Sequence, residues 1–113
     1  MPAPTPRARA ARADAVFDAL ADPTRRRIVE LLGRAPASAS DLADALPVSR
    51  QAIVKHLLLL EEARMVRGER AGRRVLYRLT PAPMNDAARW MHDVGAAWDR
   101  RLADLEARLK KSR

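Results

Sequence analysis

A chain of 113 residues without a single cysteine has room for one small domain, and it excludes disulfides, thiolate metal sites and a cysteine nucleophile. Hydrophobic residues make up 48% of it but aromatics only 4%, so its core must be built from Ala, Leu and Val. Such a core is thin for one chain, and burying a further face against a second copy would help. The net charge of +8 is unevenly spread: the first 13 residues carry +3, residues 14–66 carry −1, residues 67–80 carry +4 and the rest +2. Charge concentrated on a tail and one short segment points to a polyanion partner.

No run approaches 18 apolar residues, which argues against a membrane span. The N-terminal arginines have no apolar stretch behind them, unlike a secretory signal. A soluble, cytoplasmic protein is expected.

In chain order, residues 1–12 are rich in Pro, Ala and Arg, with three prolines in the first six positions, and are expected to be a disordered basic tail. An ordered domain is expected over residues 13–111. Ala13, Val16, Phe17 and Leu20 have the spacing of one helix face. Asp22-Pro23 combines an N-cap residue with proline at the first helical position. It predicts a second helix through Ile28, Leu31 and Leu32, stopping at Gly33. Ser38 or Ser40 should cap a short third helix carrying Leu42, Ala45 and Leu46, ended by Pro47. Ser49 should cap the fourth, with Ile53, Leu57 and Leu60 inward.

After Ala63 the period changes. Residues 65–69 and 75–79 read as two strands joined through Ala71-Gly72. Pro81 and Pro83 interrupt, and a long helix is predicted over about 84–110. Its apolar residues recur at close to 3.5 residues, a stripe suited to another helix. The fold class is therefore α+β and mostly helical, with one β-hairpin and no internal repeat.

Only Leu46-Pro47-Val48 separates the third and fourth helices, the tight turn of a helix-turn-helix. With Ile53, Leu57 and Leu60 facing inward, Arg50, Gln51, Val54 and Lys55 point outward near the start of the fourth helix. That is where a recognition helix meets base edges. Gln51 can pair with adenine and Arg50 or Lys55 with guanine, while Ala52 or Val54 can pack on a thymine methyl. Ser49 is a cap first and a phosphate contact second. Arg70, Arg73 and Arg74 on the hairpin have the charge and reach for the phosphate backbone. His56 lies beside the inward stripe, where a structural hydrogen bond is favoured over contact with DNA. Arg25, Arg26 and Arg27 open the second helix, where positive charge opposes its dipole. Acidic partners or phosphates are equally good reasons for them. Trp90, Met91 and Trp98 lie on or beside the last helix's stripe, which fits packing better than a small-ligand pocket.

Several pieces together resemble the ArsR family of small dimeric winged-helix repressors. They are Leu20-Ala21-Asp22-Pro23-Thr24-Arg25-Arg26-Arg27-Ile28, Asp41-Leu42-Ala43, Ser49 to Leu57, Leu60-Glu61-Glu62-Ala63 and Gly72-Arg73-Arg74-Val75-Leu76-Tyr77. The resemblance covers roughly Val16 to Leu79. It implies a winged helix-turn-helix homodimer that binds a double-stranded, inverted-repeat operator, with the first and last helices forming the dimer interface. It also implies release by a signal, for which an unidentified small-molecule effector is the expectation here. In the metal-sensing members a Cys-x-Cys pair precedes Asp-Leu, but Ser38-Ala39-Ser40 stands in that place, and hydroxyls are poor ligands for soft metals. A second family site needs histidine with acidic partners on the last helix, where this chain offers His92 flanked by Ala88, Arg89, Gly95 and Ala96. No metal and no cofactor are expected. Arg64 replaces the glycine usual after Glu-Glu-Ala, and Val54 replaces a common serine.

Two distant histidines, no cysteine and no phosphate-binding glycine loop leave nothing to assemble into a catalytic site, so an enzyme is not expected. The rival readings are a non-specific architectural nucleic-acid binder and a winged helix used for protein contacts. The first needs stacking aromatics, and Tyr77 is the one aromatic in the basic segment.

Overall fold

The computed structural model describes residues 5–112. Helix α1 spans Pro6–Ala19, α2 Pro23–Arg34, α3 Ala39–Ala45 and α4 Arg50–Glu62; strands β1, Val66–Ala71, and β2, Arg74–Leu79, follow, and α5 runs Ala82–Lys111. This order is a winged helix-turn-helix: three helices with a two-stranded antiparallel wing, plus a helix at each end of the domain.

The expected disordered tail over 1–12 is corrected from Thr5 onward, because α1 starts at Pro6. Residues 1–4 lie outside the described residues. The Thr5 hydroxyl accepts from the Ala8 amide at 3.1 Å, and proline at the first helical position costs no hydrogen bond. Alanine and arginine then have the highest helix propensities of ordinary residues. The added turns pack α1 along α5, where Arg12 lies 3.9 Å from Asp86.

The other caps were local and legible. Asp22 accepts from the Arg25 amide at 2.9 Å. Ser38, not Ser40, caps α3, in a reciprocal capping box with Asp41. Ser49 caps α4 through the Ala52 amide at 3.1 Å. Helix α2 runs one residue past Gly33.

Helix α4 ends in a Schellman motif. The Met65 amide donates to the Leu60 carbonyl at 3.0 Å and the Arg64 amide to that of Glu61 at 2.9 Å. Arg64 holds the left-handed position, with φ 59°. Leu60 and Met65, the residues that such a motif brings together, are both fully buried.

The core gathers Val16, Ile28, Leu32, Leu42, Ile53, Leu57, Leu60 and Met65. All but Met65, which lies between α4 and β1, come from the inward face of a helix, so α1, α2, α3 and α4 meet over one cluster. In the wing, Val66 pairs with Leu79 and Ala71 with Arg74, which places the turn at Gly72-Arg73, one residue later than expected. Gly72 has φ +65°, suiting the first central residue of a tight hairpin turn. The Tyr77 ring lies across Gly68, where a Cβ would come within 3.1 Å of it. Ala37 and Tyr77 also exchange two backbone hydrogen bonds, of 3.2 and 2.8 Å, fastening the wing to the strand-like segment before α3.

The second half of α5 stands clear of the rest. The Cα radius of gyration is 19.3 Å, against about 13 Å for a compact chain of this length. Met91, Val94, Trp98, Leu102, Leu105 and Leu109 are all exposed along it. Trp90 touches Phe17 edge-on, with ring centres 5.6 Å apart, but neither tryptophan enters this chain's own core. Among the described residues no helix is long and apolar enough to cross a membrane.

Candidate nucleic-acid interface

Helix α4 divides by exposure as its sequence period required. Ile53, Leu57 and Leu60 have no accessible surface, and they lock the helix against the core. Ser49, Arg50, Gln51, Val54 and Lys55 are exposed on the opposite side. Leu58, 54% exposed, extends this side one turn further. Its position four residues after Val54 could have identified it. Ala52 is only partly exposed, at the margin of the surface.

His56 turns away from that surface. Its Nδ1 lies 3.4 Å from Arg25 Nη1 and 3.9 Å from Asp22 Oδ2. Arginine can only donate, and 3.9 Å is too long for a hydrogen bond to the carboxylate. The geometry therefore fits a neutral ring accepting at Nδ1. Of the two roles weighed for His56, this is the structural one.

Arg25 also donates to the Ala19 carbonyl through Nε at 2.6 Å and to that of Asp18 at 3.3 Å. Arg26 reaches the Leu20 carbonyl at 2.5 Å. These arginines complete the C-terminus of α1, whose last turn holds no basic residue of its own. Positive charge is unfavourable at the start of α2 but favourable at the end of α1. Arg27 lies 3.9 Å from Glu30. Acidic partners and phosphates, the two reasons anticipated for this cluster, thus omitted the one that holds two of its members.

The wing's arginines fall into two sets. Glu69 accepts from Arg67 at 2.6 Å and from Arg78 at 3.4 Å. The Arg67 hydrogen bond and charge, then those of Arg78, hold its carboxyl below the usual range. Arg74 crosses to the start of α3, where it donates to the Asp41 carboxylate and, at 3.2 Å, to the Ser38 hydroxyl. Asp41 is likewise held low, first by the Ser38 amide and hydroxyl and then by Arg74. Arg70 and Arg73 are exposed and have no acidic partner within 4 Å among the described residues.

One groove joins the two halves of this surface. It has a volume of about 390 Å³, and Arg50 and Val54 of α4 line it together with Arg73 and Arg74 of the wing. Ser38 at the cap of α3, with Ser40 and Asp41 in its first turn, adds to the lining, as do Val75 and Tyr77 of β2. It is polar and cationic, open at the helix-turn-helix face, and nothing in it is arranged for covalent chemistry. Among the described residues no three His, Cys, Asp or Glu side chains gather as metal ligands would.

A family profile described as a helix-turn-helix domain matches residues 20–69. The HTH-type transcriptional regulator Rv2034 of Mycobacterium tuberculosis is 43% identical over 89 residues, 79% of this chain and 80% of its own length. The transcriptional repressor SdpR of Bacillus subtilis is 36% identical over 76 residues, 67% of this chain and 84% of its own. The solved structure of an ArsR-like transcriptional regulator from Rhodococcus sp. RHA1 superposes with a TM-score of 0.77 at 48% identity. It covers 86% of this chain and 92% of that one. The chain belongs to the ArsR family of winged helix-turn-helix regulators. It is a DNA-binding transcriptional regulator, not an enzyme. Within the family's frame, Ser38 stands where metal-sensing members carry a thiolate. Here its hydroxyl is occupied by the Asp41 amide at 3.1 Å and by Arg74.

Proposed function

We propose that the protein is a cytoplasmic, homodimeric repressor acting at an inverted-repeat operator. Helix α4 enters the major groove with Arg50, Gln51, Val54 and Lys55 toward base edges, Ser49 and Ala52 lying close at its start. The wing follows the backbone through Arg70 and Arg73. The observation that carries this reading is the groove that joins Arg50 and Val54 on the exposed side of α4 to Arg73 of the wing, an arginine with no carboxylate partner among the described residues. Each chain offers one such helix. The unpartnered apolar stripe of α5 supports a two-fold pair, which presents two recognition helices about 34 Å apart.

A non-specific coating role fits less well, because Tyr77 is half-buried over Gly68 and cannot stack on bases. No metal is assigned, since the Ser38 hydroxyl is already taken up within the chain.

Footprinting upstream of the protein's own gene tests the reading. Two protected half-sites one helical turn apart are expected. On that site Gln51→Ala should cost on the order of 1–3 kcal/mol and little on random sequence. One isolated half-site, or equal losses on both DNAs, would contradict it.

A further inference from the structure

The sequence presents Arg73 and Arg74 as equivalent members of one cationic cluster, but their surroundings are not equivalent. Arg73 lies in the wing's turn with an exposed side chain and no carboxylate partner among the described residues. Arg74, opposite Ala71 at the end of the ladder, reaches back to α3. There its guanidinium meets the Asp41 carboxylate and the Ser38 hydroxyl, the two side chains of the α3 capping box. Asp41 also accepts from the Ser38 amide at 3.0 Å. The four groups form one closed network between the wing and the helix-turn-helix.

The rest of the wing shows what such a link would do. The Ala37–Tyr77 bridge ties β2 down three residues beyond Arg74, and Thr80 donates to the Met65 carbonyl at 2.7 Å at the base. Among the described residues, nothing else polar joins the turn end of the hairpin to the body. A two-stranded ribbon on its own is marginal in water, so its outer end needs an anchor to hold a fixed position over the backbone. A guanidinium already shared by a carboxylate and a hydroxyl also has less to offer a phosphate than a free one.

We propose that Arg74 is a positioning residue: it anchors the wing to α3 through Asp41 and Ser38, and it leaves phosphate contact to Arg70 and Arg73. The inference rests on the wing's being the backbone-contacting ribbon of the reading above. It divides the cationic cluster into a strut and a contact, and it makes Asp41, an acidic residue, favourable for DNA binding.

The test measures the full-length protein on a random-sequence duplex by anisotropy over a salt series, with backbone amide relaxation of the free protein beside it. Arg73→Ala should lower the slope of log K against log salt by about 0.9 per chain, the value for one lost phosphate contact, with wing order unchanged. Arg74→Ala should leave the slope as it is. It should shift the line down by about three- to tenfold through the entropy of re-ordering the wing, and the amides of residues 71–75 should become more mobile. Asp41→Asn keeps an oxygen for the Ser38 amide but removes the charge that holds Arg74, so it should mobilise the same amides with Arg74 still present.

An Arg74→Ala slope lowered by about 0.9, or a wing as ordered in Arg74→Ala and Asp41→Asn as in the unsubstituted protein, would overturn the proposal. If Arg73→Ala leaves the slope unchanged, the reading of the wing as a phosphate contact fails instead. The relaxation arms need no DNA and still decide the strut.

Discussion

Arg64 carries a conformational cost that its surroundings do not repay. Its φ of 59° is a position glycine occupies freely and other L-residues occupy at about 1–2 kcal/mol. The Schellman hydrogen bonds that fix it there are made by backbone alone, and its exposed side chain makes no ion pair among the described residues. Arg64→Gly should therefore stabilise the protein by about 0.5–1 kcal/mol, the added entropy of glycine in the unfolded chain offsetting part of the gain. That corresponds to a rise in Tm of about 2–6 °C, measured at one fixed protein concentration because subunit association would otherwise shift it. An unchanged or lowered Tm would mean that the arginine side chain contributes a contact equal to the strain.

At the scale of elements, α5 is the one that does not finish its own packing. Its first turns use Pro83 and Ala87 against the domain, and then it projects with Leu102 40% and Leu105 53% exposed. A second copy covering this stripe would remove about 1.5–3 kcal/mol worth of exposed leucine at each such position. Leu102→Glu with Leu105→Glu should accordingly raise the dimer dissociation constant by about three orders of magnitude or more. Because neither side chain belongs to the chain's own core, sedimentation should find a folded monomer. A variant that stays dimeric would place the interface on another element. Helix α1 is the natural partner in this arrangement, since Arg25 and Arg26 complete its C-terminus and Phe17 meets Trp90 on α5.

At the scale of the whole molecule, three carboxylates among the described residues are held below their ordinary range, each at a different place in the fold. Asp22 is lowered chiefly by the Arg25 amide at the α1–α2 corner. Asp41 is lowered by the Ser38 amide and hydroxyl where the wing meets α3, and Glu69 by Arg67 within the wing. A carboxyl whose folded pKa lies below its unfolded value adds stability above the unfolded value and loses it as pH falls through the folded one. Tm should then be nearly flat from pH 8 to about 5 and decline below about 4, where unfolded carboxyls begin to take up protons first. Melts across that range at constant ionic strength check this, and Asp41→Asn should make the decline shallower. A decline that began near neutral pH would mean that these carboxylates do not set the profile.

Much of this architecture was readable because it is written within single turns of chain. Ser49 and Asp22-Pro23 announced their helices, the inward Ile53, Leu57 and Leu60 fixed by elimination which side of α4 is exposed, and the change of period after Ala63 marked the wing. The start of α1 was legible too, in Thr5-Pro6, but proline-rich composition outweighed one hydroxyl in the reading. Which arginines are free was not legible. Arg74 finds Asp41 33 residues away and Arg25 finds His56 31 residues away, and Arg25 serves the end of α1 at the expense of the helix it begins. Caps and amphipathic periods are set by neighbours a few residues apart, so the sequence determined the elements and the outward face of the recognition helix. Charge pairing across the domain depends on where packed elements bring their side chains, so only the tertiary structure decided which of five similar wing arginines remain open to a polyanion.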